Sequence, residues 1–164
     1  MVEKNFVIMF VCTGNTCRSP MAHGILRSMI EAENISNVEV VSSGTGTLEG
    51  YPPTSNAVQA SKNNGIDISD LYSQTITDEM VQASDLILAL AYGHFLFISQ
   101  RYPDSDGKVF MVKAFPDKEP SLELSVEDPL GLSLEDYLDT HRELEAELRR
   151  AWPAIKQRID EKLP

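Results

Sequence analysis

The chain has 164 residues, 42% of them hydrophobic and 24% charged, which fits one globular domain over residues 1–164 that buries roughly 70% of its unfolded surface without metal or disulfide staples. A net charge of −11 and only two cysteines, Cys12 and Cys17, argue against nucleic-acid binding and against a secreted disulfide scaffold. The N-terminal apolar run from Phe6 to Val11 is too short for a signal core and no other run approaches a membrane span, so a reducing cytoplasm without membrane contact is the expected setting.

Phe6 to Val11 is continuously apolar, the pattern of a central strand buried on both faces of a parallel sheet. Pro20 then opens a stretch with Met21, Ile25, Met29 and Ile30 at helical spacing. Val38–Val41 reads as a second strand, Thr54–Asn64 as a helix stopping before Gly65, Asp85–Leu90 as a third strand, Tyr92–Arg101 as a helix and Lys108–Val112 as a fourth strand. Such alternation predicts an α/β fold, a four-stranded parallel sheet with helices on both faces. From Ser133 onward, Leu134, Tyr137, His141, Leu144, Leu148, Trp152, Ile155 and Ile159 trace one face of a long terminal helix. Ser133 and Asp136 suggest a capping box at its start, and Pro153 should kink or interrupt it.

The segment Cys12-Thr13-Gly14-Asn15-Thr16-Cys17-Arg18-Ser19 falls between the first strand and first helix, the end of an α/β sheet where ligands bind. Gly14 and Asn15 tolerate positive φ, so the loop can curl and turn N–H groups inward as an anion nest. The following helix adds unpaired N–H groups, and the fork of Arg18 suits two phosphate oxygens. Donors and guanidinium around Cys12 favour its thiolate, a nucleophile able to displace the leaving group of a phosphate ester or amide and form a phosphocysteine. Arg18 and the loop would stabilise the equatorial oxygens, and Ser19 would donate to the departing sulfur.

Such a reaction also needs an acid for the leaving group that later acts as base towards water. Asp128, in Asp128-Pro129-Leu130-Gly131 before the terminal helix, is the candidate, although the segment by itself also reads as an ordinary turn. No cofactor is required and no metal is expected. His23, His94 and His141 lack paired ligand spacing and read as surface or interface histidines.

The run Val11-Cys12-Thr13-Gly14-Asn15-Thr16-Cys17-Arg18-Ser19-Pro20-Met21-Ala22, with Asp128-Pro129 much later, resembles the low-molecular-weight protein tyrosine phosphatases and their bacterial arginine phosphatase relatives. Ser42-Ser43-Gly44-Thr45 and Ser84-Asp85-Leu86-Ile87-Leu88-Ala89 match weaker patterns of the same family. The resemblance implies Cys12 as nucleophile, Arg18 as phosphate ligand and Asp128 as general acid. It also implies Asn15 and Ser43 as hydrogen-bonded supports of the loop, and Cys17 as a redox partner that shields the nucleophile by reversible pairing.

Substrate choice divides the family. After Asp128-Pro129 the tyrosine-specific members usually carry aromatic residues, whereas Leu130 and Gly131 stand here, with Tyr51 as the available substitute wall. Thr16 resembles the arginine branch, so phosphoarginine is favoured over phosphotyrosine. Phosphorylated proteins are the expected partners, and the oligomeric state is not legible. Arsenate reductases share the loop but relay electrons through further cysteines, of which this sequence has none. A phosphate-binding module without turnover is the remaining reading, against which Cys12, Arg18 and Asp128 together count.

Overall fold

The computed structural model describes residues 4–164; Met1, Val2 and Glu3, part of the stretch read for a leader, lie outside the described residues. β1 (Phe6–Cys12) pairs in parallel with β2 (Val38–Gly44) on one side and β3 (Leu86–Ala89) on the other. β3 in turn pairs with β4 (Val109–Met111), giving a four-stranded parallel sheet of order β2-β1-β3-β4. The wholly apolar β1 is central because almost all of its side chains are buried, and a strand covered on both faces needs no polar alternation.

Strand periodicity splits these side chains between two cores. Phe6, Ile8, Phe10 and Cys12 join residues of α1 (Arg18–Ala32), α2 (Ser55–Asn63) and α5 (Leu134–Lys162) on one face. Met9 and Val11 join Ile87, Ala89 and Val109 with Val81 of α3 (Asp78–Ala83) and Ile98 of α4 (Tyr92–Arg101) on the other. α1 and α4 follow the carboxyl ends of the neighbouring strands β1 and β3 through short loops, which places both loops at one edge of the sheet. Among the described residues no helix is long and apolar enough to cross a membrane.

Local chemistry sets the helix ends. Pro20 is the third residue of α1, where a missing N–H costs no intrahelical bond. Thr54 caps α2 by accepting from Ala57 N–H at 3.4 Å, and Gly65 stops the chain beyond it at φ 74°. Ser133 Oγ accepts from Asp136 N–H while Asp136 Oδ2 accepts from Ser133 N–H, the expected reciprocal cap of α5. α3 is not foreshadowed by periodicity because six residues hold less than two turns; its signal is Thr77, which caps Met80 N–H at 3.2 Å.

Two expectations are corrected here. α5 continues through Pro153 to Lys162: Pro153 and Arg149 lie on the exposed side, so the Arg149 carbonyl deprived of its N–H faces water, while Trp152, Ile155 and Ile159 remain anchored in the core. His23, His94 and His141 are not surface residues but are 7%, 6% and 0% exposed. Each occupies the inward side of its helix, where an imidazole packs as a half-apolar ring.

Candidate active site

β1 ends at Cys12 and α1 begins at Arg18, so residues 13–17 must reverse the chain within one short loop. The left-handed position falls on Asn15, at φ 54°. Gly14, the expected alternative, does not adopt positive φ, and a Cβ there would meet only Thr16 Oγ1 at an ordinary 3.5 Å. Asparagine serves at the left-handed position because its short amide can bond locally and so offset the strain.

That amide orders the site. Asn15 Oδ1 accepts from Gln74 N–H at 3.0 Å, which fixes the amide so that Nδ2 donates to Ser19 Oγ at 2.8 Å. With its oxygen accepting, the Ser19 hydroxyl has its proton free for Cys12 Sγ, 2.9 Å away. Cys12 Sγ also accepts from Asn15 N–H at 3.2 Å. The sulfur of Cys12, a residue only 2% exposed, thus faces two donors. Among the described residues, the N–H groups of Thr13, Gly14, Thr16 and Cys17 donate to no protein acceptor, which leaves four loop donors available to an oxyanion.

The framework grips the loop from three sides. Thr45 N–H donates to Cys12 O and Gly46 N–H to Thr13 O, each at 3.0 Å. Between the two chains, Gly44 is required: a Cβ would come 2.5 Å from Thr13 O. Ser43, expected to hold the loop, instead donates to Met9 Sδ at 3.4 Å inside the sheet. It lies one pleat too early in β2, and the support comes from the backbone of residues 44–46 and from Gln74. On the far side Thr54 N–H donates to Thr16 O at 2.9 Å.

Cys17 is buried and its thiol is free. Thr54 Oγ1 donates to Tyr137 Oη at 3.2 Å, and that oxygen lies 3.3 Å from Cys17 Sγ. Burial, then Cys17, pushes the Tyr137 hydroxyl up to about 12, so it stays a donor. Thr16 Oγ1 lies 3.9 Å from the same sulfur.

Arg18 and Asp128 meet although 110 positions separate them in the sequence. Val126 N–H donates to Leu90 O at the end of β3, and Val126 O accepts from Arg18 at 3.0 Å. Two residues on, Asp128 Oδ2 lies 3.4 Å from the other Arg18 nitrogen. Asp128 Oδ1 accepts from Leu130 N–H at 3.1 Å, a local turn that presents the partly exposed carboxylate at the loop. Leu130 is 60% exposed and Tyr51 52% exposed, the latter on the segment held by Ser73.

One residue the sequence did not single out is His94. Its Nδ1 accepts from Ala91 N–H at 3.1 Å and its Nε2 lies 2.8 Å from Thr13 Oγ1, at the first position of the loop. Burial first, then Arg18, lowers its pKa to about 4, so the ring is neutral near pH 7. No sequence motif marks it; only its place in the first turn of α4, at the carboxyl edge of the sheet, could have drawn attention to it.

The model of the family "Low molecular weight phosphotyrosine protein phosphatase" matches residues 7–162. The chain belongs to that family. As a low-molecular-weight phosphatase it is a hydrolase, and its relatives are named for different substrates. A protein-arginine-phosphatase of Bacillus subtilis is 35% identical over 92% of this chain and 97% of its own. A probable low molecular weight protein-tyrosine-phosphatase of Ralstonia nicotianae is 41% identical over 63% of this chain and 68% of its own. Among solved structures, the YwlE arginine phosphatase from Geobacillus stearothermophilus superposes with a TM-score of 0.82 at 32% identity, covering 93% of this chain and 94% of that one. The low-molecular-weight tyrosine phosphatase from T. tengcongensis gives 0.80 at 39% identity, covering 88% and 96%.

Proposed function

We propose that this phosphatase hydrolyses phosphorylated protein side chains through a phosphocysteine formed on Cys12, with phosphoarginine preferred. The observation that carries the reading is the Cys12 sulfur at the base of a cradle of N–H groups, with Ser19 Oγ at 2.9 Å. The thiolate attacks phosphorus and the bond to the leaving nitrogen or oxygen breaks, the leaving atom taking its proton from the Asp128 carboxyl. Water then attacks the phosphocysteine, its proton passes to the Asp128 carboxylate, and the P–S bond breaks to release inorganic phosphate and the thiolate. Arg18 and the N–H groups of Thr13, Gly14, Thr16 and Cys17 stabilise the equatorial oxygens in both steps, while the Ser19 proton steadies the departing sulfur.

Three observations favour phosphoarginine. Thr16 puts a hydroxyl beside the cradle, and the exposed wall after Asp128 is Leu130 rather than a stacking ring. The named arginine phosphatase aligns along nearly its whole length. Tyr51, half exposed, is what a phosphotyrosine reading would lean on. Cys17 is the partner for reversible oxidation of Cys12, released for that purpose from Tyr137 Oη.

Phosphate release from matched peptides bearing phosphoarginine or phosphotyrosine, at equal concentrations, tests the reading. Higher kcat/KM on phosphoarginine, lost in Cys12→Ser, is the expected result. Faster phosphotyrosine turnover would assign the protein to the other substrate, and activity retained by Cys12→Ser would remove the cysteine mechanism.

A further inference from the structure

Thr13 opens the phosphate loop and is exposed, yet its hydroxyl touches a buried histidine on a different strand connection. Its one hydrogen bond among the described residues is to His94 Nε2, at 2.8 Å. The direction of that bond follows from the other ring nitrogen. Ala91 N–H can only donate, and it points at His94 Nδ1 from 3.1 Å, so Nδ1 holds the lone pair and the proton of the neutral ring sits on Nε2. Thr13 Oγ1 is therefore the acceptor, and its own O–H has no protein acceptor among the described residues.

The arrangement is held against change. Ala91 is the residue before α4 and has no side-chain acceptor, so the His94 ring is what satisfies its N–H at the helix start. Protonating Nδ1 would remove that bond, place a cation at the positive end of a helix, and charge a ring that is 6% exposed and near Arg18. One tautomer is thereby selected, and with it one orientation of the Thr13 hydroxyl.

We infer that His94 is a positioning residue of the phosphate loop, using its Nε2–H to set the Thr13 hydroxyl as a donor directed at the bound phosphoryl group. The inference rests on the phosphocysteine reading above and adds to it a hydroxyl donor at the cradle's mouth. It also ties α4 to the loop from the side opposite Gln74.

The test uses the full chain, p-nitrophenyl phosphate turnover and orthovanadate binding by calorimetry, in the variants His94→Phe, His94→Gln, Thr13→Val and His94→Phe/Thr13→Val. His94→Phe keeps a ring but has no N–H; His94→Gln offers an amide carbonyl for Ala91 and an NH2 for Thr13. His94→Phe and Thr13→Val should each lower kcat/KM and orthovanadate affinity roughly tenfold, the scale of one lost oriented hydrogen bond, and the double variant should lose no more than either. His94→Gln should recover to within about threefold of wild type, and the non-additivity of His94→Phe with Thr13→Val separates a role through the Thr13 hydroxyl from one through the Ala91 cap alone. Additive losses, or His94→Gln no better than His94→Phe at matched melting temperature, would overturn the inference. Should His94→Phe fail to fold, Thr13→Val decides alone, since an exposed hydroxyl is not needed for folding: undiminished turnover and orthovanadate binding sink the proposal. Wild-type protein that binds orthovanadate without turnover would sink the phosphocysteine reading instead, and the variants' orthovanadate affinities would still report on Thr13.

Discussion

The loop from Cys12 to Ser19 and the exposed rim of the molecule are built in opposite ways. In the loop, Asn15, Ser19 and Cys12 are buried and form one chain of bonds fixed at its end by Gln74 N–H. On the rim, Leu48, Tyr51, Leu130 and Leu132 are 67%, 52%, 60% and 54% exposed. A buried polar chain leaves a donor or acceptor stranded when any member is removed, whereas an exposed side chain leaves only water. Substitutions inside the loop are therefore costly in this molecule, and substitutions at the exposed side chains are mild.

The buried histidines make the interior the more fragile half in acid, and this is the largest expected effect. His23, which faces Ser42 Oγ at 3.2 Å, and His94 are both lowered from 6.5 to about 4, chiefly by burial and then by a neighbouring arginine. Because the unfolded chain binds these protons first, stability is complete above pH 6.5 and falls as pH drops through about 4. Roughly 3 kcal/mol for each histidine is at stake. Urea unfolding at pH 7, 5.5 and 4.5 should show the decline; a flat profile would mean that the rings are not desolvated.

Asp128→Asn, at the boundary between loop and rim, should lower kcat on the phosphopeptides by about 10^3 with little change in melting temperature. Equal loss of stability and activity would count against a general-acid role. Asn15→Ala removes the bonds to Ser19 and Gln74 and strains a left-handed residue, so about 3 kcal/mol of stability should go, together with most turnover. Retention of wild-type stability in denaturant would break the contrast drawn above.

His141 sharpens the same point from the other side. It is fully buried on α5, and neither ring nitrogen has a partner among the described residues. Replacing it by leucine should raise stability by about 1–2 kcal/mol, since an unsatisfied polar group is removed at similar volume; destabilisation on melting would reveal a hidden partner. The smallest effect belongs to the rim. Leu130→Tyr should shift the phosphotyrosine to phosphoarginine ratio of kcat/KM upward by less than about tenfold, the worth of one aromatic contact, and leave stability within about 0.5 kcal/mol.

The sheet, the main helices and the loop were legible because they are written locally. β1 is an unbroken apolar run, α5 a stripe with its own cap, and Cys12 to Ser19 a contiguous segment whose backbone and side chains fold back on themselves. Short α3 escaped for lack of turns, and the interruption expected at Pro153 does not occur because which side of the helix faces water is a property of packing.

Partnerships across the chain were decided only by the tertiary structure. Gly44 is required by a carbonyl from a different strand, and Ser43 is turned away from the loop by the pleat. His94 reaches Thr13 because α4 happens to start at the same sheet edge, and Asp128 reaches Arg18 because Val126 adds on to the end of β3. Residue type and spacing specify what a segment prefers for itself. What its polar groups bond to at long range depends on where the sheet's strand order brings other segments, and one sequence read along its length does not contain that distance information.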